Sequence, residues 1–136
     1  MRIAISIEHP AWAHNFRSIM QTLIARGDDV LVLAINKDRS FELLDSYGIP
    51  YVRAGRTTGT NLVQKAFLFL WQSLNYTVRC VRFRPDILIG RASPMMAIAA
   101  WVTRKPHLIY EDTEVSKFSL RICKKLSTKI LTPRTF

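Results

Sequence analysis

Hydrophobic and polar positions follow two rhythms along this chain. Six short apolar runs read as strands: "RIAISI" (2–7), "DVLVLAI" (29–35), "IPYVRA" (49–54), "PDILIG" (85–90), "PHLIYE" (106–111) and "KIL" (129–131). The first run carries almost no polar alternation, as expected of a strand covered on both faces. Between the strands the period changes to that of a helix. Residues 14–26 place Phe16, Ile19, Met20, Leu23 and Ile24 on one face, and Gly27 is set to end that helix. "SFELLDSYG" (40–48) reads as a short helix closed by Gly48. A long helix is expected from about Asn61 to Arg82. Its stripe of Val63, Phe67, Leu70, Leu74, Val78 and Val81 is assigned to the core or to a partner interface. Ser93-Pro94 reads as an N-cap followed by an N1 proline, opening a helix through Val102. Residues 115–126 supply one more.

Strictly alternating strands and helices predict an α/β fold: a Rossmann-like three-layer sandwich around a parallel sheet. Right-handed crossovers favour the strand order 3-2-1-4-5-6. The chain has 136 residues, enough for one domain spanning 1–136. It shows no repeat and no low-complexity segment.

Charge adds a partner class. Twenty Lys and Arg against ten Asp and Glu give a net charge of +10. Such an excess favours an anionic partner: nucleic acid, an anionic membrane surface or a phosphorylated substrate. No helix-turn-helix and no aromatic RNA-binding motif is present, so nucleic acid is set aside. The apolar segment "LVQKAFLFLWQSLNYTVRCVRF" is interrupted by Gln64, Lys65, Gln72, Asn75 and Arg79, too often for a membrane span. It carries Phe69, Trp71 and Tyr76 beside its stripe, with Lys65, Arg79 and Arg82 nearby. An interfacial membrane contact is the sharper alternative to core or partner packing. The N-terminus does not read as a signal peptide, because Glu8 ends its apolar run early. Cys80 and Cys123 sit in apolar helical contexts and read as buried thiols in a reducing, cytoplasmic compartment. No cysteine or histidine spacing suits a metal, and no cofactor is expected. "GRTTGT" (55–60) lacks the P-loop pattern and reads as a loop.

In an open α/β sheet, ligands bind beyond the carboxyl ends of the strands, near the switch point. Three loops are expected there. "EHPAWAH" (8–14) supplies Glu8, His9 and His14, candidates for a base or a hydrogen-bonding partner. His14 is expected near the start of the first helix, where the helix dipole favours anions. The alternative for both histidines is helix capping. "GRAS" (90–93) sets Arg91 and Ser93 at a helix N-terminus, a ready anion site, or else an ordinary turn with its cap. "YEDTE" (110–114) carries Glu111, Asp112 and Glu114, which suit acid–base work or sugar-hydroxyl recognition, or else cap a helix. The catalytic candidates are thus His14, Glu8, Glu111 and Asp112. The substrate-binding candidates are His9, Arg91, Ser93 and Glu114.

Taken in order, "MRIAISIEHPAWAHNFRSIMQTLIARGDDVLVLA", "LLDSYGIPY", "RFRPDILIGRASPMMAIAA", "IYEDTE" and "ILTP" resemble the N-terminal half of the "domain of unknown function 354" family. That family is glycosyltransferase-like and is related to the GT-B glycosyltransferases and the UDP-N-acetylglucosamine 2-epimerases. The resemblance implies the N-terminal domain of a GT-B fold, which usually shapes the acceptor side while the C-terminal domain grips the nucleotide-sugar. It implies that Glu8, His9 and His14 face the reacting sugar or acceptor. A first turn without glycines suits a domain that does not hold the pyrophosphate. In the 2-epimerases the strand-four turn carries an aspartate, where this chain has Arg91; Glu111 matches their strand-five glutamate.

Family members run to more than twice this length, so the nucleotide-binding half is expected in a second chain or in sequence missing here. Three functions follow as expectations. The first is the acceptor-side domain of a glycosyltransferase in surface-polysaccharide or glycolipid assembly, inactive alone. The second is half of a UDP-sugar 2-epimerase-like enzyme. The third is a non-enzymatic basic module binding anionic lipid or nucleic acid. The partners are a sugar acceptor and a nucleotide-sugar, and the place is the cytoplasm or the inner face of the membrane.

Overall fold

The structure, a computed structural model, describes residues 1–36, 39–56, 61–90, 94–110 and 129–131. Among the described residues six strands form one sheet: β1 (Arg2–Ile7), β2 (Asp29–Asn36), β3 (Val52–Arg56), β4 (Ile87–Gly90), β5 (His107–Tyr110) and β6 (Lys129–Leu131). Their order is β3-β2-β1-β4-β5-β6, as the alternation predicts. Every neighbouring pair is parallel, with Ile5 opposite both Val32 of β2 and Ile89 of β4. The helices are α1 (Pro10–Asn15), α2 (Arg17–Ala25), α3 (Ser40–Ser46), α4 (Leu62–Phe83) and α5 (Pro94–Thr103). The helix expected over 115–126, Cys123 and loop positions 57–60 lie outside the described residues.

β1 divides the core. Its residues alternate between the two sheet faces, as any strand's must. Ile3, Ile5 and Ile7 pack with Trp12, Phe16, Met20 and Leu44 beneath α1, α2 and α3. Ala4 packs on the other face with Tyr76, Cys80, Met96 and Ala99, beneath α4 and α5. Gly27 and Gly48 take φ of +85° and +68° and end their helices as expected.

Two expectations need correction. The single helix expected over 14–26 is two, and it begins earlier. His9 caps α1 and Pro10 follows it, so the helix starts as soon as the chain leaves β1. The chain breaks its helix at Phe16 and resumes as α2. The second correction concerns α4. Its apolar stripe does not face the core. Phe67 is 72% exposed and Leu74 63%, and Val63, Leu70, Val78 and Val81 are exposed with them. The buried residues of α4 are Gln72, Ser73, Tyr76 and Cys80. These fit the sheet by specific contacts: Gln72 lies against Gly55, and Asn75 Nδ2 donates to the Ala54 carbonyl at 3.1 Å. At about 1.5 Å per residue, α4 is about 33 Å long. Even β2, the longest strand, spans only about 27 Å. The first turns of α4 project past the sheet's carboxyl edge, and Asn61 to Phe67 are all exposed.

Burial pushes the Cys80 thiol up to about 12, so it packs as an inert apolar group. It also lowers His107 on β5 to about 4 from the usual 6.5. His107 is 0% exposed and stays neutral in the folded chain, while an unfolded chain protonates it below about pH 6.5. The unfolded state therefore binds more protons between those two values, and stability falls as pH falls through that window. The loss from this one ring amounts to at most about 3 kcal/mol. Urea midpoints measured from pH 7.5 to 4.5 are expected to fall more steeply for the native chain than for His107→Asn, whose side chain does not titrate there.

Candidate functional site

The chain leaves β1 at Ile7, and parity turns Glu8 toward the α4 side. There the Tyr76 hydroxyl donates to Glu8 Oε1 at 3.3 Å. Tyr76 is fully buried; burial first, then the neighbouring Glu8 carboxylate, hold its phenol well above the usual range. It therefore stays protonated and can only be a donor to that carboxylate. Ser6, two residues earlier on the same face, is 2% exposed and points at β4. It sits where a side chain of Gly90 would be: a Cβ built on Gly90 collides with Ser6 Oγ. Gly90 is the last residue of β4, so the small residue lets β1 and β4 present their ends side by side beneath Glu8.

On the other side of the rim an aromatic trio joins the first turn to β5. Tyr110, the last residue of β5, meets Trp12 edge-on at 5.8 Å between centroids and Phe16 at 6.4 Å. Trp12 and Phe16 are buried, and Tyr110 is 37% exposed. The carboxyl ends of β1, β4 and β5 are therefore adjacent in one sheet and tied across it. The segments that begin at Glu8, after Gly90 and after Tyr110 leave from a single edge.

Within the first turn the two histidines do different things. His9 Nδ1 accepts the Ala11 N–H at 3.1 Å, and its carbonyl accepts from Trp12 and Ala13. His9 is a helix cap. His14 lies in the last turn of α1, not at a helix start, so the anion-favouring end of a dipole is not where it sits. It is exposed, and its Nδ1 lies 3.3 Å from the Tyr47 hydroxyl at the end of α3. Arg17 stacks on that same Tyr47 ring at 4.5 Å. Glu8 thus turns to α4 on one face of the sheet and His14 to α3 on the other; the turn does not bring them together. Arg91, Ser93, Glu111, Asp112 and Glu114 lie outside the described residues.

Reading the sequence missed Tyr76, Ser73 and Gln72 as parts of this rim. Ser73, buried beside them on the inner face of α4, has no hydrogen-bond partner for its hydroxyl among the described residues. The available signal was the row Gln72, Tyr76, Cys80 at helical i, i+4 spacing, opposite the apolar stripe.

This architecture is the Rossmann-like fold of a GT-B N-terminal domain. No protein-family model matches the chain. Over 66 residues it is 35% identical to the UDP-N-acetylglucosamine–N-acetylmuramyl-(pentapeptide) pyrophosphoryl-undecaprenol N-acetylglucosamine transferase of Alkalilimnicola ehrlichii, covering 46% of this chain and 18% of that enzyme. Among solved structures it is similar to MurG of Acinetobacter baumannii, with TM-score 0.78 and 16% identity over 99% of this chain and 42% of the other. It is also similar to the UDP-GlcNAc 2-epimerase of Neisseria meningitidis, with TM-score 0.72 and 13% identity over 93% of this chain and 39% of the other. The chain spans about two fifths of the length of these structures.

The Gly90 contact supplies a test of the rim. Gly90→Ala is expected to cost about 1–3 kcal/mol in denaturant unfolding, as overpacking does. Ser6→Ala removes the colliding oxygen and leaves Ser6 Cβ at an ordinary 3.5 Å from the new methyl. The double variant should recover most of the loss, giving a clear coupling energy in a double-mutant cycle.

Proposed function

We propose that the chain forms the acceptor side of a GT-B-type glycosyltransferase of surface-polysaccharide or glycolipid assembly, acting on the cytoplasmic side. A second Rossmann-like half, in another chain or in sequence outside these 136 residues, grips the nucleotide-sugar. The observation that carries this reading is Glu8. It stands at the carboxyl end of the central strand, at the switch point, with its carboxylate oriented by a buried tyrosine.

In this scheme Glu8 is the general base. Its carboxylate takes the proton of an acceptor hydroxyl as that oxygen bonds to the anomeric carbon of the sugar. The bond from that carbon to the diphosphate breaks, and the nucleoside diphosphate leaves with the electron pair. Tyr76 keeps the carboxylate aimed and is a positioning residue. Glu8 is preferred to His14 as the base because His14 is engaged by Tyr47 on the opposite face. The start of α5, directly after β4, offers backbone N–H groups to developing negative charge, with Arg91 and Ser93 as the side chains the sequence supplies there. His9 caps the turn that carries Glu8. Glu111, Asp112 and Glu114, following β5, are assigned to sugar hydroxyls. The scheme uses no metal.

The likeness to a 2-epimerase favours one other reading, half of a UDP-sugar 2-epimerase. Arg91, in place of an acid, removes one of the two proton-shuttling groups that chemistry uses. Supplying a nucleotide-binding half together with UDP-N-acetylglucosamine separates the two: a transferase yields an acceptor glycoside, an epimerase the C2 epimer.

In the reconstituted system Glu8→Gln should lower kcat by about 10²- to 10⁴-fold with little change in the KM of the donor. Tyr76→Phe should lower kcat less. Turnover of a UDP-sugar by the chain alone would overturn the assignment.

A further inference from the structure

The hydroxyls carried by α4 and α5 behave in two ways. Thr77 Oγ1 donates to the Ser73 carbonyl at 2.8 Å, and Thr103 Oγ1 donates to the Ala99 carbonyl at the same distance. A bond to the carbonyl four residues back is how a helical hydroxyl is silenced when it is packed away from water. Ser73 does not make that bond. The residue is 7% exposed, and its hydroxyl has no hydrogen-bond partner among the described residues. A buried hydroxyl in that state costs its desolvation with no bond to offset it. Alanine would serve this helical position better, in burial and in helix propensity. The ligand-free fold is therefore less stable for having a serine here.

Helix geometry says where this hydroxyl stands. Gln72 and Asn75 hold the β3 flank of α4, through Gly55 and the Ala54 carbonyl. At about 100° per residue, Ser73 is turned away from both, onto the flank that meets α5. α5 covers the same sheet face and packs in the same buried cluster. Both helices start at the carboxyl edge of the sheet. Both close at an arginine in the left-handed conformation, Arg84 and Arg104, each with φ of +56°. β4 and β5 then begin at Ile87 and His107, equally far beyond those arginines. Counting back from each by the same number of residues, Leu74 on α4 is level with Pro94 on α5, so Ser73 stands at the height where α5 opens. That opening is buried, with Pro94, Met95, Met96 and Ala97 all inside. The first N–H groups of a helix take no carbonyl from within it, and its start favours negative charge. Here one of those donors is missing, because Pro94 has no N–H. No acid stands in the first turn of α5. The Ser73 hydroxyl is a donor at the same level on the neighbouring helix, one turn from the Tyr76 that orients Glu8.

We infer that Ser73 is a substrate-binding residue of the rim: its hydroxyl takes the place of the donor that Pro94 lacks and, with the start of α5, holds a phosphoryl oxygen. The hydroxyl stays unbonded in the empty chain and is available as soon as the ligand arrives; a serine tied to its own helix would have to break that tie first. Binding then removes the cost that the empty fold carries. The inference rests on the transfer reading only for which substrate brings the phosphoryl group. The seat itself is defined by α4 and α5.

The chain alone suffices for the test. Ser73→Ala should raise the thermal midpoint of the ligand-free protein by about 2 °C or more, whereas a serine with a structural hydrogen bond would lose stability on the same change. Inorganic phosphate, titrated against chloride at matched ionic strength, should shift the amide resonance of Met95 in the native chain. In Ser73→Ala the dissociation constant read from that resonance should rise about tenfold or more, as the loss of a hydrogen bond to a charged group requires. Titrations with UDP and with glucose 1-phosphate then show which substrate supplies the group: the one whose affinity falls with Ser73→Ala carries it. The inference is overturned if Ser73→Ala lowers the midpoint, if phosphate leaves Met95 unmoved, or if the two proteins bind phosphate alike. Turnover of a UDP-sugar by the chain alone, which would overturn the transfer reading, leaves these binding measurements as they stand.

Discussion

Everything at the rim depends on β1 being buried on both faces between β2 and β4. A central parallel strand has no solvent side, so each side chain must satisfy one packed layer or the other. Three isoleucines fill the α1–α3 layer, and Ala4 and Ser6 leave room in the α4–α5 layer. The same alternation carries one step past the strand's end and gives Glu8 its direction. A carboxylate placed there cannot wander, because Tyr76 meets it from a helix locked to the sheet at Ala54 and Gly55. The position of the proposed base is thus set by the same strand that organises the core.

Much of this was legible in the residues. The six strands, their order and the glycine-ended helices follow from local rules of period and backbone conformation. The fold class also sets the segments after β1, β4 and β5 at one carboxyl edge of the sheet. Two readings went astray for different reasons. The apolar periodicity sets His14 near a helix start, whereas the start is dictated by His9-Pro10, and a proline likewise opens α5 at Pro94. Tyr76 was passed over because hydrophobic period reports only that a helix has two unlike faces. It does not say which of them is inside.

α4 shows what decides that question. Its inner face is chosen by fit: Gln72 over a glycine, Asn75 to a strand carbonyl, Tyr76 to Glu8 and the inert Cys80 thiol deep in the layer. Its ends are fixed too. Asn61 accepts the Gln64 N–H at 2.8 Å at the start, and Arg84 closes the helix with φ of +56°. A helix so anchored cannot roll its apolar stripe inward without breaking the contact that orients Glu8. The orientation of the carboxylate and the exposure of the stripe are therefore one structural fact seen from two sides. Burying the stripe requires something outside this fold.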